Sequence, residues 1–404
     1  MGLFAGCGDQ HPSPRFALNK KTLELDKIAR EPIVKALQEN FGEPNRLIAW
    51  QKFPFDYGVA DPKAADASRH EAGWRLKEGR ELYMRHCLHC HGVSGDGDGP
   101  TARFLNPRPR DYRAGVFKFT STLSGLKPSH DDLKRTLQNG IPGTTMPSFI
   151  VLEKGPGNEE NLDLIVDYVR WLSARGELEL KLVSELAAMG GRKSEIEQRV
   201  AEGKKGESSD TLESIMADLK KSIADGFADA LQESASDLAD SWARVEQPES
   251  VVRPKVKRTR PDQESIKRGR AIFLSKEAKC ADCHGPAGLG NGSLTEDFWD
   301  IPNTNPVQKY KRPGLHDAWG EPQMPRNLTS GVYRGGRRPV DLYRRVFAGI
   351  KGTQMPAFGT VLNDAQIWDV VNYAMSLPFH GEQSPYPEEA PEAAPAKKVA
   401  SSQH

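Results

Sequence analysis

Four of the five cysteines stand in two close pairs, and a histidine follows each pair directly. The two sets are Cys87, Cys90 and His91 in the first half of the chain, and Cys280, Cys283 and His284 in the second. The pattern C-x-x-C-H is the attachment sequence for c-type haem. Two thiols one helical turn apart can each add to a vinyl group of one porphyrin, and the adjacent histidine then lies beneath the iron.

Two other chemistries use paired cysteines. Two C-x-x-C pairs could together supply four thiolate ligands to one zinc ion, and a single pair could act as a thioredoxin-like redox motif. A zinc site would leave both histidines without a role. A thioredoxin-like motif requires a βαβ context, which the sequence lacks.

An internal repeat extends well beyond the cysteines. Both copies continue as C-x-x-C-H-G-x-x-G-x-G-x-G and later contain G-I-x-G-T-x-M-P-x-F. The matching blocks are 87–99 with 280–292, 109–118 with 325–334, 132–149 with 341–358, and 168–172 with 373–377. Four blocks that recur in one order indicate a duplicated domain.

Each copy also carries a methionine that could bind a metal. Met146 and Met355 occupy the same place in the repeated G-T-x-M-P block. A thioether is soft and uncharged, so as a ligand it favours ferrous iron and raises the reduction potential. The prolines that follow, Pro147 and Pro356, stiffen the turn. A methionine before a proline can also be simple core filling, and Met324 is a weaker candidate ligand in the second copy.

In these motifs the sequence resembles class I c-type cytochromes in tandem, over about 67–175 and 263–380. The resemblance implies a mainly α fold in which each domain has a helix before the attachment site, a methionine-bearing loop and a final crossing helix. It also implies two covalently attached haem c groups. Their iron ligands would be His91 with Met146 and His284 with Met355.

Four cations recur at matching positions. They are Arg110, Lys118, Arg326 and Arg334. Because haem carries two propionates and arginine binds carboxylates well, we expect these residues to be propionate partners. A solvated charged face is the alternative. The repeated glycines are expected to allow turns packed close to the haem edge.

The rest of the chain divides by composition. We expect an N-terminal extension over 1–66, cytochrome c domains over 67–175 and 263–380, a charged helical linker over 176–262, and a disordered Pro/Ala/Glu tail over 381–404. The extension contains many prolines and is expected to be extended and to wrap on a neighbouring domain.

The linker is predicted to contain a helix of about 50 Å with one apolar face, begun by a capping box of Asp210 and Glu213. The second domain has about 23 extra residues, rich in aromatics, which could cover a haem edge or pack locally. His130 and His316 lack repeat counterparts and are expected to be surface residues.

Composition limits the partners. The 404 residues include 56 Lys and Arg and 55 Asp and Glu, a formal net charge of +1, and no basic run that could follow a nucleic acid backbone. No stretch reaches the ~18–20 apolar residues needed to span a bilayer. Cys7 lies in Leu-Phe-Ala-Gly-Cys, which resembles a lipoprotein cleavage site, although only six residues precede it.

The predicted function is single-electron transfer in a bacterial respiratory chain and not catalysis, since His and Met would close both iron sites. The alternative is a haem enzyme such as a di-haem peroxidase, which needs one accessible iron. The partners would be an oxidase, a dehydrogenase or other subunits of a membrane complex. Haem attachment in such cytochromes places the chain on the periplasmic side of the membrane, tethered there if Cys7 is lipidated.

Overall fold

The computed structural model describes residues 15–58, 69–71, 73–302, 304 and 306–379. Cys7 and the expected tail lie outside these residues. The chain divides into two compact units, Met1–Val251 and Val252–His404. None of the described helices is both long enough and apolar enough to cross a bilayer.

Both units are mainly helical, as the sequence predicts. The first contains α1 (Lys20–Leu23), α2 (Lys27–Phe41), β1 (Gly42–Glu43), β2 (Arg46–Trp50), β3 (Arg69–Glu71), α3 (Trp74–His86), α4 (Leu88–His91), α5 (His130–Asn139), α6 (Asn161–Ala188), α7 (Lys193–Lys204) and α8 (Leu212–Arg244). The second contains α9 (Gln263–Phe273), α10 (Cys280–His284), α11 (Pro339–Ala348) and α12 (Asp364–Ser376).

The same helix pair forms the frame of each unit: α3 packs on α6, and α9 packs on α12. A glycine lies at each contact, Gly79 in α3 and Gly269 in α9. A Cβ at Gly79 would overlap the carbonyl oxygen of Leu164, and one at Gly269 would overlap that of Asp369. The absence of a side chain therefore lets the two backbones approach closely.

Matching aromatic pairs extend these contacts. Tyr83 packs on Tyr168 with ring centroids 5.1 Å apart, and Phe273 packs on Tyr373 at 5.3 Å. Both pairs are almost fully buried. The duplicated sequence therefore produces a duplicated helix crossing directly before each C-x-x-C-H segment.

The predicted long helix is α8, which has 33 residues. Its N-cap is Thr211, which forms a capping box with Ser214, one residue later than the expected pair. Its apolar face packs on α6 and α2, and Trp242 is fully buried. The apolar face of α8 is therefore part of the core of the first unit. This unit extends to residue 251, whereas the sequence predicted a linker from residue 176 onward.

The described part of the N-terminal region is folded and not extended. It contains α2 and an antiparallel sheet in the order β1–β2–β3. Phe41 packs against Trp171 of α6 at 5.6 Å, and Phe55 packs against Trp242 of α8 at 5.4 Å. Aromatic burial holds this region on the first unit, so its prolines do not keep the chain extended.

Candidate functional site

Each C-x-x-C-H segment forms one turn of helix. The amides of Cys90 and His91 bond to the carbonyl of Cys87 at 3.1 and 2.9 Å, and Cys280–His284 form α10. The four cysteines of these segments are free thiols. The two thiols of each pair therefore lie one turn apart, as attachment to one porphyrin requires.

Burial suppresses the acidity of these thiols. It raises the pKa of Cys87 to about 12 and that of Cys280 to about 12. A reactive redox pair or a zinc site requires thiolates, which a cationic or metal environment stabilises. In the part of the chain that the structure describes, no three His, Cys, Asp or Glu side chains are grouped to hold a metal ion. Cys87 and Cys280 are therefore neutral thiols at neutral pH.

The two histidines have the same hydrogen bond. Nδ1 of His91 donates to the carbonyl oxygen of Arg110 at 3.2 Å, and Nδ1 of His284 donates to that of Arg326 at 3.1 Å. Since a carbonyl can only accept, the proton is on Nδ1 and the lone pair on Nε2 is available for a metal. Burial lowers the pKa of His91 to about 4 and also lowers that of His284. Both rings are therefore neutral.

The glycine loop caps each attachment turn. In the first unit, the amides of Gly97 and Gly99 bond to the carbonyls of His91 and Cys90 at 3.0 and 3.2 Å. In the second unit, the amides of Gly290 and Gly292 bond to the carbonyls of His284 and Cys283 at 2.8 and 3.0 Å. The φ angles of Gly97 and Gly290 are +71° and +81°. Only glycine adopts this conformation at little cost, which explains the repeated motif.

The predicted methionine ligands lie in two loops of identical design. The amide of Met146 bonds to Thr144 Oγ1 at 3.1 Å, and that of Met355 bonds to Thr353 Oγ1 at 3.1 Å. Each methionine carbonyl accepts a bond from the isoleucine amide five residues earlier, at 3.0 and 3.1 Å. Met324, by contrast, is 59% exposed. Both loops thus hold their methionine in one defined turn.

The Met146 side chain is half-buried and packs against the core cluster that contains Cys87 and Tyr112. Helix α5 ends at Gly140, where a Cβ would overlap the carbonyl of Met146 and the following proline. Gly349 plays the same part at the end of α11 beside Met355. Close contact with a helix end therefore fixes each loop.

The four predicted propionate partners are all half-buried. Arg110 and Arg326 also supply the carbonyl groups that bind the two histidines. Burial, and then the charge of Arg326, lowers the pKa of Arg334. The two guanidinium groups repel each other, and an anionic group placed between them would relieve this repulsion.

The repeat comparison did not identify the ring of Tyr112. This ring stacks on that of His91, with centroids 4.7 Å apart. The ring of Phe117 also stacks on that of Tyr112, with centroids 5.7 Å apart. The corresponding residue in the second unit is Leu328, whose amide makes the same 2.7 Å bond to the glycine loop. The signal was present, because Tyr112 lies two residues after the repeated Arg110.

The insertion in the second unit packs locally. His316 is 5% exposed, so the surface position expected from the sequence is wrong. Its ring lies 3.7 Å from that of Tyr310, and its Nδ1 donates to Gly314. Gln354 donates to its carbonyl at 3.2 Å, which ties the insertion to the Met355 loop. A cavity of about 240 Å³ remains between these two segments.

His130 is half-buried, with its ring nitrogens 3.8 Å from Asp163 and 3.5 Å from Asp167. It is the first residue of α5. Its surroundings indicate a structural role.

Taken together, the residues of each unit fit a covalently attached haem. They provide two thiols on one turn, a neutral histidine with Nε2 available, a methionine loop held by hydrogen bonds, and half-buried cations.

Comparison with known proteins agrees with this geometry. Residues 76–173 match the family model for cytochrome c, and residues 264–373 match the model described as cytochrome c oxidase, cbb3-type, subunit III. Two matches on segments with the same fold support a c-type cytochrome. Cytochrome c domains imply covalently bound haem c and suggest haem-based electron transfer.

A search of curated proteins finds no match. Among solved structures, the chain is similar to a chain of the Kuenenia stuttgartiensis reducing HAO-like protein complex, with 25% sequence identity and a TM-score of 0.49. The match covers 74% of this chain and 96% of that chain.

Proposed function

We propose that the chain is a di-haem c-type cytochrome that carries single electrons and has no substrate chemistry of its own. One haem would be attached to Cys87 and Cys90, and the other to Cys280 and Cys283. The observation that carries the proposal is the duplicated bond from a buried histidine Nδ1 to a loop carbonyl, at 3.2 and 3.1 Å. This bond leaves each Nε2 available as an axial ligand.

The protein's own residues would set the properties of each site. The Nδ1 bond orients the imidazole and increases its basicity. Met146 and Met355 would hold the iron together with His91 and His284. When bound, haem c would provide a one-electron couple whose reduction potential the protein's ligands tune. With a histidine and a methionine holding each iron, a substrate would have no place to bind.

A spectroscopic experiment tests this proposal. The protein is expressed in a host that matures c-type cytochromes, and the pyridine haemochrome assay is expected to give two haems with both vinyl groups saturated. The ferric spectrum is expected to be low-spin at both sites. Met146→Ala and Met355→Ala should each convert one haem to a high-spin or exogenously ligated form. Exposed Met324→Ala is the matched control and should change neither.

The same spectra distinguish the electron carrier from the alternative, a haem enzyme. A high-spin haem in the unmodified protein, together with peroxide turnover, would favour a di-haem peroxidase. A colourless protein with free thiols would contradict both functions.

We also propose that the protein acts on the periplasmic side of the cytoplasmic membrane, as an exported carrier or as the cytochrome subunit of a respiratory complex. The resemblance of the second unit to a family named for a cbb3-type oxidase subunit supports this proposal. Lipid attachment at Cys7 would provide a tether. Mass analysis of the mature N-terminus tests the tether, and co-purification of an oxidase or dehydrogenase from native membranes tests the complex.

A further inference from the structure

The two candidate haem sites share most of their charged groups. Arg110 corresponds to Arg326, and Lys118 corresponds to Arg334. Because these cations occur in both sites, they do not distinguish one site from the other. The difference must come from charged residues without a counterpart.

In the first unit the additional cations are paired with carboxylates. Arg113 binds Asp111 at 2.8 Å, and Lys127 forms an ion pair with Glu177. Glu177 lies against Gly115, within the segment that carries the repeated cations. Each such pair contributes little net charge to the site.

A third pair lies deeper in the same unit. Arg175 and Glu179 are buried and 3.9 Å apart. Glu179 also acts electrostatically on Arg113. Arg113, Lys127 and Arg175 of the first unit are therefore each paired with a carboxylate.

The second unit instead contains Arg345, whose counterpart in the first unit is Thr136. The guanidinium of Arg345 donates to three backbone carbonyls, those of Asp341, Arg334 and Gly336. These bonds hold the loop that carries Arg334. Carbonyl dipoles solvate the Arg345 charge but do not cancel it.

Asp341 is the carboxylate that interacts electrostatically with Arg345. It is already bound by Arg338, with contacts of 2.8 and 3.0 Å. Burial lowers the pKa of Arg345 to about 10, so the residue remains charged at neutral pH.

The overall charges point in the same direction. Residues 252–404 contain 22 Lys and Arg and 16 Asp and Glu, whereas residues 1–251 contain 34 and 39. The second unit is positive and the first is negative. Positive charge stabilises the reduced state of a haem, because reduction removes one positive charge from the iron.

We infer that the second site has the higher reduction potential and that Arg345 is a positioning residue that raises it. This inference rests on the proposed electron-transfer function. An electron shared between the two sites therefore resides preferentially at the Cys280–Cys283 site. Arg345 acts by its own charge and by fixing Arg334.

The test is a spectroscopic redox titration of the intact di-haem protein and its variants. Met146→His, which is expected to lower the potential of the first haem, assigns the two redox waves. The higher-potential wave of the unmodified protein should belong to the second site. Arg345→Leu should shift that wave to lower potential and leave the other wave unchanged. Arg345→Lys should restore part of the shift, because it keeps the charge but lacks the planar guanidinium whose three nitrogens each reach a different carbonyl.

Lys267→Gln is the matched control, since it removes one charge from an exposed position in the same unit. It should shift the second wave by much less than Arg345→Leu. Two reversible waves with the lower one assigned to the second site, or equal shifts in the two variants, would overturn the inference but not the electron-transfer function. A haem without a reversible one-electron wave would instead contradict the proposed function itself.

Discussion

At the scale of single residues, the proximal histidines depend on a contact outside the C-x-x-C-H motif. His91 and His284 are neutral because they are buried, and their tautomer is set by a backbone carbonyl of Arg110 or Arg326. The carbonyl lies 19 residues away in the first unit and 42 in the second. The insertion in the second unit therefore lengthens the loop but leaves this bond intact.

The two sites differ in what covers the histidine. The ring of Tyr112 stacks on His91, whereas Leu328 takes the equivalent position in the second unit. Tyr112 is itself 9% exposed, and its ring also stacks on that of Phe117. The first imidazole therefore has a stacked aromatic neighbour, whereas the second has the tilted ring of Phe273, with centroids 6.3 Å apart.

A buried carboxylate makes the second unit sensitive to acid. Burial by itself would raise the pKa of Asp369, but hydrogen bonds from Arg268 and Ser265 bring it below its ordinary value of 3.8. A depressed pKa in the folded state means that the stabilisation is fully present above pH 3.8. It is lost as the pH falls through the lower pKa of the folded state.

We therefore expect Asp369→Asn to be less stable than the unmodified protein at neutral pH and to lose less stability on acidification below about pH 4. Urea unfolding, followed by the haem absorbance of the second site, measures both. Asp297→Asn, at an exposed position, is the control. An equally steep acid dependence in Asp369→Asn would contradict this explanation.

At the scale of secondary-structure elements, the helix crossing determines where each attachment turn begins. The close approach of α3 to α6 depends on Gly79, since a Cβ there would overlap backbone and not a flexible side chain. Gly226 lies in α8, where the nearest group to an added Cβ is the terminal methyl of Met189, at 3.1 Å. These two helical glycines of the same unit thus differ in what surrounds them.

Gly79→Ala is expected to destabilise the first unit by about 1–3 kcal/mol, because the backbones must move apart. Gly226→Ala should stabilise it by about 0.5–1 kcal/mol through the better helix propensity of alanine. Chemical denaturation of the holoprotein compares the two. If both substitutions had the same sign, the close crossing would not be the reason for the glycine in α3.

Helix α8 contributes core to the first unit. Trp242 is fully buried, its Nε1 donates to Glu177 at 3.1 Å, and its ring packs on Phe55. Removing this side chain would leave a cavity and also remove the indole donor from Glu177 Oε1, whereas the ion pair of Lys127 with the other oxygen would remain.

Trp242→Ala should therefore cost about 3–5 kcal/mol of stability in the first unit and leave unfolding of the second unchanged. Calorimetry, with each haem band as a local probe, reports the two units separately. Leu212→Ala, at a 54% exposed position of the same helix, should cost much less. Equal effects would show that α8 is not part of that core.

At the scale of the whole molecule, the opposite charges of the two units should be visible in simple kinetics. The formal charges are −5 over residues 1–251 and +6 over residues 252–404. A charged protein attracts small reagents of opposite sign, and salt screens this attraction over about 8–10 Å.

Reduction of the second haem by ferrocyanide is thus expected to slow as ionic strength rises, while reduction of the first should accelerate or stay constant. Stopped-flow absorbance at the two assigned haem bands measures both rates. A cationic reductant, hexaammineruthenium(II), should reverse the pattern. If both reduction rates depended on ionic strength in the same way with both reagents, the charge difference between the units would have no effect at the haem sites.

The sequence by itself determined the features that depend on short-range spacing. The C-x-x-C-H turns, the glycine loops, the methionine turns and the helices on either side recur at fixed intervals, and local hydrogen bonds are enough to build each one. The length of α8 was also predictable, because an apolar face with helical period is a local pattern.

Only the tertiary structure decided what these elements contact. The apolar face of α8 could have met a partner protein, but it packs on α6 and α2. His316 looked like a surface residue, yet the insertion buries it against Tyr310. No sequence motif distinguishes Arg345, and only the fold brings three backbone carbonyls to its guanidinium. Periodicity states which face of an element is apolar, but packing between residues distant in the chain determines what covers that face and which charges remain near the site.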